Sequence, residues 1–320
     1  MDLINVANTQ IDDLRLEEKG RAYIEGSKAK NTVRAYKKDW EHFEQWCHSH
    51  GVSALPASLE VVTKYLIDCA DELKVSTMQR RMAAINAAHR MAGLPVISSR
   101  LEPLHSVWRG IVRTKGTAQT AKAPVLTEDI QKMINGLTTD KLLDVRDRAL
   151  LLLGFAGAFR RSELVALNVE DIEFKRNGLV VTIRRSKTDQ EGAGRKIAIP
   201  NGTHAETCPV RAVRSWIDTA GIQDGAIFRS INRGGNMSTK RLSDKAVALI
   251  VKRNVKLAGL DPARYAGHSL RAGLATSAAQ AGVEEKKIMD QTRHKSVNMV
   301  RRYIREGDMF RGNAAGRVGL

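Results

Sequence analysis

The sequence predicts a mainly α-helical protein of two domains. An all-helical N-terminal domain (1–113) and a linker (114–124) precede a larger α+β domain (125–320), mostly helical with a small antiparallel sheet. Three observations lead there. Apolar residues recur at helical spacing throughout the first domain, and no stretch of it alternates as a strand does. The segment TKGTAQTAKAP, 114–124, has no large apolar side chain and mixes Gly, Thr and Lys with a closing Pro, the composition of an exposed connection. Two short runs, LVVTIR (179–184) and RKIAIP (195–200), flank a polar stretch, 186–194, that reads as a hairpin tip.

Over 31–51, Val33, Tyr36, Trp40, Phe43, Trp46 and Cys47 fall on one helical face opposite a basic one, and Asn31 or Thr32 stands where a cap belongs. Helices are expected over 59–73 and 76–92, the second stopped by Gly93-Leu94-Pro95. Another spans 99–112, where Leu104, Val107, Trp108 and Ile111 form the apolar stripe. Past the linker, Leu126-Thr127-Glu128-Asp129 opens a helix with Thr127 as its expected cap. After the hairpin, helical patterns run to near the C-terminus.

Composition narrows the function. The 320 residues suffice for two domains with real cores, and 42% hydrophobic with 27% charged residues marks a folded chain. A formal net charge of +17 implies a polyanionic partner, because neutralised phosphates release counterions and that drives binding. Ribosomal, membrane-surface and RNA-binding proteins can be equally basic. The opening MDLINVANTQ carries neither a basic nor an apolar signal region, and the most apolar run, 149–159, is too short for a membrane span. No membrane partner is expected, and the location is expected to be cytoplasmic, with the nucleoid. Cys47, Cys69 and Cys208 form no CxxC pair and read as free thiols. His42, His48 and His50 read as a solvated helix end rather than a metal site. No metal and no cofactor is expected, since no carboxylate cluster has metal-ligand spacing and no GxxxxGK[ST] appears.

Four segments of the second domain carry residues suited to phosphate chemistry. In GAFRRSEL, Arg160 and Glu163 stand three apart and are expected to share a helix face; such a pair is either a surface ion pair or a rigid guanidinium fork for a phosphate. Lys187, in Ser186-Lys187-Thr188 at the hairpin tip, is either solvated or carried to a leaving oxygen as general acid. In GHSLRAG, His268 and Arg271 lie one turn apart, and the small Gly267, Ala272 and Gly273 let a backbone or ligand approach closely. Finally, His294 precedes Tyr303 by nine residues, which on one continuous helix are opposite sides. The two meet only if His294 stands before the helix, with Ser296 as its cap. A nucleophilic tyrosine also needs cations or a base nearby, since its ordinary pKa is near 10.

Taken in order (Arg, a hairpin Lys, HxxR, His, then Tyr near the C-terminus), the set resembles the tyrosine recombinases, most nearly their Cre-like members. GHSLRAG, LSDKAVALI, VRRYIR and the first-domain stretch 74–95 carry the likeness. The resemblance implies a SAM-like core-binding domain ahead of the catalytic domain, and a reaction needing neither metal nor ATP. It makes Arg160 and Arg271 a clamp on the scissile phosphate, assisted by His268 and His294. Tyr303 would be the nucleophile that forms a 3′-phosphotyrosyl bond, Lys187 the general acid, and Glu163 the support of Arg160. For DNA contacts it points to Thr32, Arg34, Ser76, Arg80 and Arg81 in the first domain and to Lys240, Arg241 and Lys245 in the second. The partner implied is double-stranded DNA with a specific inverted-repeat site, bound by a homotetramer assembled from dimers. It also implies that the tail after Tyr303 docks on a neighbouring subunit, although Gly312, Gly316 and Gly319 argue against a firm helix there. The alternatives are a DNA-binding architectural factor of the same fold without chemistry, and a topoisomerase sharing the chemistry.

Overall fold

The computed structural model describes residues 29–118, 121–186, 194–294, 296–307 and 318. They fall into two compact units that divide between Thr120 and Ala121.

Among the described residues the first unit has four helices: α1 (Lys30–Ser49), α2 (Leu59–Glu72), α3 (Val75–Met91) and α4 (Leu104–Lys115). The apolar stripe of α1 delivers Phe43 and Cys47 into a core shared with Tyr65, Leu66, Met78, Ile85 and Leu104. Ser58 caps α2 by accepting a hydrogen bond from Val61 N–H. The start of α1 differs from expectation. Ala29 holds the cap position without a side-chain bond, while the Asn31 amide oxygen accepts from Arg34. The last helix starts at Leu104 rather than near 99 and runs through Lys115. The end of the connecting segment is tied to the second unit: Ala123 N–H donates to Arg264 O at 2.7 Å and Val125 N–H to Ser269 O at 2.9 Å.

The second unit continues with α5 (Thr127–Asn135), α6 (Leu142–Ala156) and the short α7 (Arg161–Ala166). Thr127 is not the cap of α5: Leu126 holds that position, its N–H donating to the Asp129 carboxylate, and Thr127 N–H donates to Ser277 Oγ. Strands β1 (Ile172–Lys175), β2 (Gly178–Ile183) and β3 (Arg195–Pro200) form an antiparallel sheet in that order. Leu179 stands opposite Ile199 and Val181 opposite Ile197, and this shared face is buried. The helix α8 (Pro209–Thr219), the small hairpin of β4 (Arg229–Ile231) and β5 (Met237–Arg241), and helices α9 (Asp244–Leu257), α10 (Ser269–Gln280), α11 (Glu285–Thr292) and α12 (Val297–Gly307) follow. Leu150, Leu151 and Leu153 of α6 anchor the core with Trp216, whose indole N–H donates to Ile227 O. The three cysteines are free and buried. No helix among the described residues is long and apolar enough to cross a membrane. Most of the tail, including Gly312, Gly316 and Gly319, lies outside the described residues.

Candidate active site

The site begins where α6 ends. The chain turns sharply through Gly157 and Ala158, the latter at φ 45°, and the Phe159 ring lies where a Gly157 side chain would be. Arg160 follows in extended conformation as the cap residue of α7, not inside it as the three-residue spacing suggested. The contact with Glu163 is therefore a capping box: Glu163 Oε2 accepts from Arg160 N–H at 2.9 Å, and Oε1 accepts from the Arg160 guanidinium at 2.6 Å. This fixes a guanidinium that is otherwise long and mobile.

His268 immediately precedes α10 and Arg271 lies in its first turn. Arg271 is only 1% exposed; one terminal nitrogen donates to Ala158 O at 2.7 Å, while Nε and the other terminal nitrogen have no hydrogen-bond partner among the described residues. The small residues around it serve packing rather than a ligand. A Cβ at Gly273 would collide with the Val125 carbonyl, and one at Gly267 with the Arg161 side chain.

His294 stands between α11 and α12, in the place the nine-residue spacing required, and α12 then carries Tyr303 back to it. The two rings are 5.8 Å apart between centroids, and His268 Nε2 lies 3.0 Å from the Tyr303 hydroxyl. The Thr292 hydroxyl donates to Ile288 O at 2.7 Å, so at its 2.7 Å contact with His294 Nδ1 it accepts. That assigns the Nδ1–H tautomer to neutral His294.

Burial, then the guanidiniums of Arg160 and Arg293, pull Arg271 down to about 9, so it stays charged at neutral pH. Burial pushes Glu163 up, but Arg293 and Arg160 outweigh it and hold the carboxyl below its ordinary range. Burial, followed by Arg271 and Arg160, lowers His294 to about 4. The result is three guanidiniums against one carboxylate around a tyrosine hydroxyl, an arrangement that favours an anion. One consequence concerns stability. Between the ordinary histidine value of 6.5 and about 4 the unfolded chain protonates this histidine and the folded chain does not, so stability is lost as pH falls through that window. Thermal melts at pH 7 and pH 5 should show a smaller loss in His294→Asn than in the parent protein; an equal loss would assign the acid sensitivity elsewhere.

Of the six residues singled out for chemistry, Arg160, His268, Arg271, His294 and Tyr303 converge here, and Lys187 lies outside the described residues. Sequence reading missed Arg293. It is buried, and it donates to Gly157 O, Ala158 O and Glu163 Oε2 at 2.8, 2.8 and 3.0 Å. The residues marked for DNA divide. Arg34, Ser76, Lys240 and Lys245 are exposed and Thr32 is half-buried. Arg80 is held by Asp39 through two bonds but remains 48% exposed at its side chain. Arg81 and the exposed Arg241 also have partners inside the protein. Arg81 turns inward to Tyr65 and Cys69, and Arg241 donates to the carbonyls of Val165 and Leu167 where α7 ends. In both, the guanidinium satisfies partners within its own unit.

The chain matches the model of the phage integrase family over residues 124–308 and that of the phage integrase N-terminal SAM-like domain over 22–93. It is 47% identical to an integrase/recombinase xerD homolog of Selenomonas ruminantium, over 98% of this chain and 93% of the relative. To the recombinase cre of Escherichia phage P1 it is 28% identical, over 83% and 81% of the two chains. In fold it is similar to the Tn1549 transposon integrase solved in complex with circular intermediate DNA, with a TM-score of 0.60 at 19% identity, covering 89% of this chain and 92% of that one. With a catalytic-domain match over more than half its length and a relative of this identity along nearly all of it, the chain belongs to the phage integrase family of tyrosine recombinases, the site-specific DNA recombinases.

Proposed function

We propose that this recombinase cleaves and rejoins DNA through a covalent bond between Tyr303 and a 3′-phosphate, with Arg160 and Arg271 holding the scissile phosphate. The observation that supports it most is the buried Arg271, whose Nε and one terminal nitrogen have no partner among the described residues. Unmatched buried donors are costly unless a ligand meets them, and a phosphate offers the two acceptors that a guanidinium fork fits. Tyr303 Oη attacks phosphorus and the P–O5′ bond breaks. The tyrosine proton passes toward His268 Nε2, 3.0 Å away, and Lys187 protonates the departing 5′ oxygen. Negative charge grows on the non-bridging oxygens as the step proceeds, which is where Arg160 and Arg271 act; His294, neutral with its proton on Nδ1, donates there only once it is protonated. Attack by a 5′-hydroxyl reverses the step and joins a new strand. One ester replaces another each time, so neither ATP nor a metal is called for.

The same reading makes the substrate duplex DNA carrying an inverted-repeat site, bound by four copies as two dimers. Thr32, Arg34, Ser76, Arg80, Arg81, Lys240, Arg241 and Lys245 are its contact residues. Side chains at helix N-termini, as Thr32, Ser76 and Lys245 are, suit a groove-reading role. The test is trapping on a nicked, randomised duplex pool, followed by digestion and mass spectrometry. A nucleotide-bearing peptide containing Tyr303 is expected, and tight DNA binding with no adduct on an enriched pool would favour the architectural alternative.

A further inference from the structure

Arg293 ends α11 in left-handed conformation, φ 58°, with its N–H donating to Met289 O. Glycine closes a helix this way without strain, so what an arginine adds here is its side chain. That side chain is 5% exposed and reaches three segments at once. One terminal nitrogen donates to Gly157 O at 2.8 Å and Gln291 O at 2.9 Å, the other to Ala158 O at 2.8 Å and Glu163 Oε2 at 3.0 Å. The guanidinium also lies over the Phe159 ring.

These partners are the supports of the proposed phosphate clamp. Ala158 O is also the acceptor of Arg271, and Glu163 Oε2 is also the acceptor of Arg160 N–H. With Oε2 engaged by Arg293, Oε1 remains for the Arg160 guanidinium. His294, the next residue, inherits its position from the same left-handed turn. We propose that Arg293 is a positioning residue for strand cleavage: its guanidinium ties the turns bearing Arg160 and His294 to the carbonyl that seats Arg271, without touching DNA. This rests on the assignment of Arg160, Arg271 and Tyr303 above.

Glu163 gives the role a signature that packing alone lacks. It faces Arg160 and Arg293, lies near Arg271, and shares a cavity with Asp171, Arg184 and Arg185. Burial pushes its carboxyl up and Arg293 is the foremost influence pulling it down. Without that charge Glu163 takes a proton at higher pH, and Arg160 loses its anchor as it does.

The experiment measures single-turnover adduct formation against pH, on duplexes that the parent protein selects from the nicked pool. Arg293→Gly keeps the left-handed turn and removes the guanidinium. Its cleavage rate should fall by about 10–100-fold, the usual scale for a residue that orients another, with DNA affinity within about twofold. Its acid limb should move to higher pH. Arg293→Lys keeps the charge and loses the fork, so its acid limb should stay near the parental one while its rate recovers only in part. In a Glu163→Gln background, Arg293→Gly should no longer move the limb. Wild-type rate and profile in folded Arg293→Gly overturn the proposal, and if that variant does not fold, the same result in Arg293→Lys does so. A lower melting temperature with an unmoved pH profile also overturns it, as that marks a structural role only. Parent protein and Tyr303→Phe run alongside: no adduct in the first, or an adduct in the second, sinks the active-site assignment and this inference with it.

Discussion

Tyr303→Phe protein is expected to bind DNA with parental affinity and to form no covalent adduct on nicked duplex. The substitution removes one oxygen and little else. Helix α12 is held to the rest of the unit by Val300, fully buried beside Ala275, Ala279 and Ile288, and that contact does not involve the hydroxyl. The ring keeps its place beside His294, and the guanidiniums keep their charge. The hydrogen bond to His268 is lost, worth about 1 kcal/mol. Chemistry, by contrast, loses its nucleophile, and removal of a nucleophile in a covalent enzyme lowers turnover by as much as about 10⁶-fold. Fluorescence anisotropy measures the first property and a denaturing gel the second. An adduct that persists in Tyr303→Phe means another side chain attacks phosphorus; weakened binding without unfolding means that the hydroxyl serves the ground state.

Most of the helices were legible because their burial is one-sided, and α1 through α3 lie within a few residues of where apolar spacing put them. The strands that periodicity missed are those it had no grip on. β1 is four residues long, and β5, MSTKR, is polar and half exposed; it exists because Ile231 pairs with Met237 and Leu242 N–H reaches Phe228 O. The site shows the same division. Arg160, His268, Arg271, His294 and Tyr303 were legible as an ordered set, though the spacing of Arg160 and Glu163 suggested a shared helix face where the fold makes a cap. Arg293 was not legible. Beside His294 and Lys295 it reads as one more surface cation, and what buries it is a left-handed turn meeting carbonyls 135 and 136 residues away. The internal partners of Arg81 and Arg241 were not legible either: a run of basic residues shows charge, not which guanidiniums also bond carbonyls and hydroxyls inside the protein.

Arg271→Met should abolish cleavage and leave the free protein as stable as the parent or more so. Loss of one preorganised donor to a developing oxyanion costs about 10²–10³ in rate, and Arg271 offers two nitrogens unmatched among the described residues, so the effect should reach the upper end. Stability moves the other way for the same reason. A guanidinium that is 1% exposed, beside Arg160 and Arg293, and lowered to about 9 is disfavoured in the folded state. A buried charge without full pairing is replaced by an apolar side chain of similar length at little loss or some gain. The bond to Ala158 O is forfeited, but Arg293 also donates to that carbonyl, so the acceptor is not abandoned. Each kcal/mol relieved raises the melting temperature by about 2–4 °C in a domain of this size. A melting curve and a trapping gel on one preparation decide between two kinds of arginine. Lower stability with cleavage retained would make Arg271 a structural residue whose unmatched donors meet ordered water. Unchanged or higher stability with cleavage lost would identify a cation held ready at the fold's expense for the phosphate that completes it.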